Sequence, residues 1–185
     1  MSIGTYIKTG IITLTWIPVL ATVCDHVAFF GHIEGSSMKP ALNPDASLGW
    51  TDTVWLKKWG IHKPGSIQVG DVVLLRSPDD PEKILAKRVL AVGGDEVVTR
   101  KTYPRPVCRI PPNHIWAEGD NIHSIDSNNF GPVSTGLIIG KASNIVFPFN
   151  RFGPVPNGGR EARLSHLNRY HNSLKAKELE DETDK

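Results

Sequence analysis

The residues with the clearest chemical potential lie in the segment EGSSMKPAL, residues 34–42. Pro40 fixes its own φ angle and favours an extended backbone at Lys39, so we expect a stiff, extended segment that presents Ser37. Gly35 allows another backbone to approach closely just before it. A presented serine becomes a nucleophile only when a base takes its proton. The next question is therefore which residue serves Ser37 as a base.

Lys87 is the first candidate for this base. It lies in the run KILAKRVLAV, residues 83–92, where strand alternation places Leu85, Lys87 and Val89 on one face. A lysine on an apolar face is desolvated, which lowers its pKa towards a range where the neutral amine accepts protons. The alternative, which the pattern leaves equally open, is a lysine that protects an exposed strand edge.

His123 is the second candidate, with Asp126 as the acid that would orient it. The two residues are three apart in one polar loop, a spacing that makes it hard for Asp126 to support His123 while its other nitrogen faces Ser37. An exposed loop histidine is the preferred interpretation. A metal-activated water is the third possibility, but the sequence has no HExxH motif and no clustered histidines, so we expect no metal and no cofactor.

Composition limits the classes of function. The net charge of +2 gives no nucleic-acid signal. Cys24 and Cys108 form no CxxC pair, which favours two free thiols over a disulfide framework or a zinc site. The length of 185 residues suits one domain with appendages.

The longest apolar run, residues 10–31, has the length of a membrane span. Asp25 is expected near its exit interface, because an aspartate at the bilayer centre costs about 3 kcal/mol. A buried core helix or a cleaved signal peptide is the alternative, but Lys8 alone makes a poor signal-peptide start. We therefore predict one uncleaved transmembrane anchor at residues 10–31, with the N-terminus on the matrix or cytoplasmic side.

Short β-rich runs separated by Gly and Pro predict a mainly β domain over residues 32–159. The predicted strands cover 54–56, 67–75 with a break at 70–71, 83–92, 96–99, 115–118 and 137–147. The turn signal Gly93-Gly94-Asp95 predicts that 96–99 returns against 83–92. Four prolines predict an irregular loop at 103–112. Residues 160–185 are polar and charged and are expected to form a frayed or disordered tail.

Four short motifs in this order resemble those of type I signal peptidases. They are Ser37-Met38-Lys39-Pro40-Ala41-Leu42, Gly70-Asp71-Val72, Lys87-Arg88-Val89 with Gly94-Asp95, and Gly119-Asp120-Asn121 with Ser124-Ile125-Asp126-Ser127. The resemblance covers residues 35–133 and implies a signal-peptidase-like antiparallel β catalytic domain behind one N-terminal transmembrane helix. Within the family the chain resembles the mitochondrial inner membrane proteases. It has a single predicted span and a short insert between the Lys87 motif and the Gly119 motif, and Asn128 stands where bacterial members and subunit 1 usually have arginine.

The resemblance also implies the roles of individual residues. Ser37 would attack the scissile carbonyl and neutral Lys87 would take its proton, while the backbone N–H of Ser37 would hold the oxyanion. Relatives add a hydroxyl two residues before the nucleophile, but this chain has Gly35 there. Ser124 would orient Lys87. With Asn128 in place of arginine, Arg88 would be the partner of Asp126, and both would have supporting roles.

The resemblance further implies the substrates and partners. Extended peptides with small side chains would add to a sheet edge, in precursors with bipartite presequences such as cytochrome c1. Inner membrane protease subunit 1 would form the heterodimer partner, and membrane lipid would surround the anchor, with the catalytic domain in the intermembrane space. Two alternatives stay open: a non-catalytic subunit that stabilises a protease complex, and a bacterial-type signal peptidase.

Overall fold

The structure, a computed structural model, describes residues 3–44 and 49–157. Helix α1 (Ile3–His26) is the first element. Within the described ranges, no helix is both long enough and apolar enough to cross a membrane. The predicted anchor at 10–31 also has the wrong end, because residues 28–31 belong to a strand. Threonines and Lys8 lower the mean hydropathy of α1, and residues 28–32 form a strand that pairs with residues 53–57.

An antiparallel sheet of eight strands forms the body of the protein. Ten strands are described in chain order: β1 (Ala28–His32), β2 (Thr53–Lys57), β3 (Val72–Arg76), β4 (Ile84–Val92), β5 (Glu96–Val98), β6 (Val107–Arg109), β7 (His114–Glu118), β8 (Val133–Ser134), β9 (Ile138–Phe147) and β10 (Gly153–Pro154). The spatial order in the large sheet is β1-β2-β9-β3-β4-β7-β8, and β10 also pairs with β9. The prediction of a mainly antiparallel β protein is confirmed.

The predicted hairpin between 83–92 and 96–99 is wrong. Strand β5 pairs instead with β6 in a separate two-stranded sheet, with Glu96 opposite Arg109. Strand β6 lies inside the stretch that was predicted to be irregular, because its prolines flank the three paired residues and leave their N–H groups available. The strand β4 pairs with β7 instead, with Val89 opposite Ala117.

Two further elements bring the loops back to the sheet. The short helix α2 (Ser127–Phe130) begins after Asp126, whose side chain caps it, and 3-10 turns occur at Thr135–Leu137 and Phe149–Arg151. The predicted tail at 160–185 lies outside the described residues.

The core lies on both faces of the large sheet. One cluster joins β1, β2, β3 and β9 with the segment after β1, and its buried members include Met38, Leu42, Val54 and Leu56. Met38 is 2 % exposed in this cluster, so it belongs to the core and not to the wall of a substrate groove. A second cluster packs β3, β4, β7 and β8 together.

The strand edges of the large sheet that have no strand partner among the described residues include β1 and the first half of β4. Strand β1 is the last strand on its side and pairs only with β2. The first half of β4, from Ile84 to Lys87, pairs with β3 but not with β7, because β7 pairs only with β4 residues from Arg88 to Val92. A further strand could hydrogen-bond to either edge.

Candidate active site

The segment that carries Ser37 follows strand β1 directly and turns instead of running extended. The N–H of Lys39 donates to the Ser36 carbonyl (3.2 Å), and the N–H of Leu42 donates to the Met38 carbonyl (2.9 Å). The extended conformation that Pro40 predicted is therefore wrong here. The turn allows both Met38 and Leu42 to enter the core, and it leaves Ser37 half-buried at the surface.

The loop after β7 holds this segment in place. Asn121 donates twice, from its N–H to the Ser37 carbonyl (3.0 Å) and from Nδ2 to the Ser36 carbonyl (3.0 Å). Gly119 fits between the two elements so closely that a Cβ atom there would overlap both the Ser37 carbonyl oxygen and Ser124 Oγ. Ser37 and Ser124 therefore lie beside the same face of Gly119.

Lys87 approaches this point from strand β4. Its side chain is 1 % exposed, and Nζ donates a hydrogen bond to Ser124 Oγ (2.5 Å). Burial lowers the pKa of Lys87 to about 8; the Asp126 carboxylate opposes this shift, and the Arg100 guanidinium adds to it. Since Ser124 contacts both Gly119 and Lys87, Ser37, Ser124 and Lys87 lie in one cluster.

Arg88 takes a different partner from the one that the sequence suggested. Its guanidinium makes a bidentate contact with Asp120, from Nε to Oδ1 (2.9 Å) and from Nη2 to Oδ2 (2.7 Å). It also donates to the carbonyls of Gly70 (2.9 Å) and Pro156 (2.8 Å). Arg88 and Asp126 are not paired, because neighbouring residues of a strand point to opposite faces and Asp126 lies on the Lys87 side.

Asp126 is fully buried and acts as a local organiser. Its carboxylate accepts hydrogen bonds from the Asn128 N–H (3.1 Å), from Asn128 Nδ2 (2.8 Å) and from the Gly119 N–H (3.2 Å). The first of these caps helix α2, and the last fixes the glycine that separates Ser37 from Ser124. Asp126 therefore shapes the loop that surrounds Lys87.

Arg100 is a residue of this site that the sequence analysis missed. Its Nη2 lies 3.1 Å from Glu118 Oε2, and its Nη1 lies 3.9 Å from Asp126 Oδ2. It follows strand β5, outside all four motifs, so only the three-dimensional contact reveals it. The departure at Asn128 was the available signal, because it left Asp126 without its expected arginine.

His123 does not join this cluster. It is exposed, its backbone N–H donates to Asn121 Oδ1 (3.0 Å), and its ring makes no hydrogen bond to any described residue. Asp126 directs its oxygens to Asn128, Gly119 and Arg100 instead. Over the described ranges, no group of three or more His, Cys, Asp or Glu side chains could hold a metal ion.

A groove of about 320 Å³ runs along both free strand edges. Its lining comes from β1, β3, β4 and β9 and includes Phe29, Ile33, Leu74, Ile84 and Ala86. The β1 side of the groove continues through Glu34 towards Ser37, and the β4 side ends at Ala86, the residue before Lys87. The groove therefore borders the two segments that carry Ser37 and Lys87.

The chain also matches a known protein family. The family model described as "Signal peptidase, peptidase S26" matches residues 5–105. The chain belongs to this family.

The relatives define the group within the family. The chain is 42 % identical over 149 residues to "Mitochondrial inner membrane protease subunit 2" of Saccharomyces cerevisiae, covering 80 % of this chain and 84 % of the relative. It is 50 % identical over 145 residues to the protein of the same name from Schizosaccharomyces pombe, covering 78 % of each. It is also 37 % identical to "Mitochondrial inner membrane protease subunit 1" of Mus musculus, over 69 % of this chain and 76 % of the relative.

Proposed function

We propose that this chain is a serine endopeptidase that removes sorting peptides from mitochondrial precursor proteins, with Ser37 as nucleophile and Lys87 as general base. The observation that carries the proposal is the state of Lys87. It is buried, its pKa is lowered to about 8, and its Nζ contacts Ser124 next to the Ser37 segment. A lysine in this state is partly neutral near neutral pH, which a general base requires.

The mechanism follows from the placement of these groups. Ser37 Oγ attacks the scissile carbonyl and its proton passes to the Lys87 amine, which then protonates the leaving amine. This gives an acyl-enzyme, which water hydrolyses with Lys87 again accepting a proton. Ser124 orients the Lys87 amine. The Ser37 N–H makes no hydrogen bond to any described residue, so it is available to the oxyanion.

The groove supports an extended peptide as substrate. A chain that binds there can add as a strand to β1, to the first half of β4, or to both, with main-chain hydrogen bonds on each side. Its apolar walls suit small or apolar side chains near the cut. We therefore propose precursors with bipartite presequences, such as cytochrome c1, as substrates.

The relatives support a location and a partner. We propose that the chain acts at the mitochondrial inner membrane with its site in the intermembrane space, in a heterodimer with inner membrane protease subunit 1. Helix α1 exposes apolar side chains that would contact membrane lipid, namely Ile12, Leu14, Trp16, Ile17, Val19 and Leu20.

Cleavage of a presequence-bearing precursor by membranes that carry Ser37→Ala or Lys87→Ala tests the proposal. Both variants are expected to lose cleavage while the chain and its partner subunit still accumulate. Ser143→Ala and Lys83→Ala are matched controls, because Ser143 lies on β9 away from the site and Lys83 has an exposed side chain. Both controls should cleave at the wild-type rate.

Continued processing by both site variants would overturn the catalytic proposal. If deletion of the whole chain then removed the partner subunit, the chain would be a stabilising subunit instead. A His123→Ala variant that folds normally but loses all activity would show that Lys87 is not the base.

A further inference from the structure

Two buried carboxylates lie next to the Lys87 cluster, and Arg100 lies between them. Asp126 is fully buried and Glu118 is 2 % exposed. Arg100 pairs with Glu118 at 3.1 Å and approaches Asp126 at 3.9 Å. Glu118 also accepts a hydrogen bond from Trp116 Nε1 (2.7 Å). One guanidinium thus contacts both carboxylates, and one of them, Asp126, acts on Lys87.

The backbone around Arg100 fixes this placement. Its N–H donates to Asn128 Oδ1 (2.7 Å), and Nη1 donates to the Ile122 carbonyl (2.7 Å). The same Asn128 side chain donates from Nδ2 to Asp126 Oδ1 (2.8 Å). Asn128 therefore connects the backbone of Arg100 to the carboxylate of Asp126, and the arginine reaches the site from the segment after β5.

We propose that Arg100 is a positioning residue for the protease reaction, which offsets the Asp126 charge and thereby keeps the Lys87 amine available as a base. The inference rests on the proposed function, because it assumes that neutral Lys87 is the active form. It adds a residue outside the four motifs and explains how the chain works with Asn128 in place of an arginine.

The charges that face Lys87 support this role. Burial lowers the pKa of Lys87, Asp126 raises it, and Arg100 lowers it. Glu118 is held by Trp116 and Arg100, while the Arg88–Asp120 pair lies on the opposite face of β4 from Lys87. Without Arg100, no neighbouring positive charge would offset the effect of the Asp126 carboxylate on the Lys87 ammonium, so the pKa of Lys87 would rise.

The test is the pH dependence of kcat/KM for a peptide that spans a precursor cleavage site, measured with the full-length chain. Arg100→Gln is expected to move the acidic limb of the kcat/KM profile to higher pH. A rise of about one pKa unit lowers the rate about tenfold at neutral pH and leaves it near wild type at alkaline pH. Arg100→Lys keeps the charge and should lose less than about threefold at neutral pH. Lys101→Gln, which removes a neighbouring exposed charge, should match wild type.

The results distinguish a failure of the Arg100 inference from a failure of the proposed Ser37–Lys87 mechanism. An unshifted limb in Arg100→Gln, or an equal loss at every pH, overturns the role of Arg100. If Arg100→Gln does not accumulate, Arg100→Lys decides the question, because a uniform loss there shows that the hydrogen bonds of Arg100 matter and not its charge. Ser37→Ala is measured alongside: activity in that variant refutes the Ser37–Lys87 mechanism itself, whereas its inactivity with an unshifted Arg100→Gln refutes only the inference.

Discussion

Lys87 and Arg88 are neighbours on strand β4, but their buried side chains lie on opposite faces and differ in the acceptors that surround them. Arg88 is 2 % exposed and is surrounded by acceptors, with a bidentate contact to Asp120 and two carbonyl contacts. Lys87 is 1 % exposed, and among the described residues its Nζ has one hydroxyl contact and no ion pair. The comparison teaches that a buried side chain keeps its charge only where acceptors surround it. On the Lys87 face burial favours the neutral amine, which is the form that a base needs.

The largest expected effect comes from Lys87→Arg. An arginine keeps the positive charge and the approximate length but cannot lose its proton, so it cannot act as a base. We expect kcat/KM to fall by about 10⁴-fold or more while the chain still accumulates. Precursor cleavage with quantified protein levels measures both. An active Lys87→Arg variant would show that only the charge at this position matters.

A smaller effect, on stability, is expected from Arg88→Met. The change leaves the buried Asp120 carboxylate without its counter-ion, and burial already raises the pKa of Asp120 above its ordinary value. We expect a loss of about 3 kcal/mol in the free energy of unfolding, measured by urea denaturation. Arg76→Met, at the exposed end of β3, is the control and should cost less than about 0.5 kcal/mol. Equal effects would mean that the Arg88–Asp120 pair contributes little.

A stability effect of similar size but opposite sign is expected from Lys87→Met. The folded pKa of about 8 lies below the ordinary value of 10.5, so the unfolded state binds more protons in between and wild-type stability rises with pH over that window. At neutral pH the wild type carries this penalty, and Lys87→Met removes it. We expect the variant to be more stable by about 3 kcal/mol at neutral pH, with the difference vanishing above about pH 10.5. A variant that is less stable than the wild type at every pH would show that the buried Lys87 ammonium does not destabilise the fold.

Much of the site could be predicted from sequence because its parts are local. Strand alternation alone put Lys87 and Arg88 on opposite faces, and the motifs pointed to Ser37 and Ser124. The partners were less accessible, because they depend on how loops meet in space. Asp120, not Asp126, reaches Arg88, and Arg100 reaches Asp126 from the segment after β5.

The fold shows the same division. The β-rich runs predicted the strands of the large sheet. The sequence did not show that β4 pairs with β7, which leaves β5 to pair with β6. The end of α1 was also misplaced, because residues 28–31 are apolar enough to extend an apolar run but pair with β2 at the edge of the sheet. Pairing and burial are tertiary properties that hydropathy alone does not encode.

The most direct test of the central claim is a titration of the Lys87 side chain by NMR, with labelled lysine and with Lys87→Met to assign the resonance. The account predicts a Lys87 midpoint near pH 8, well below the ordinary lysine value of 10.5. A Lys87 midpoint at that ordinary value would contradict it, because the amine would then be protonated at neutral pH and could not serve Ser37 as a base.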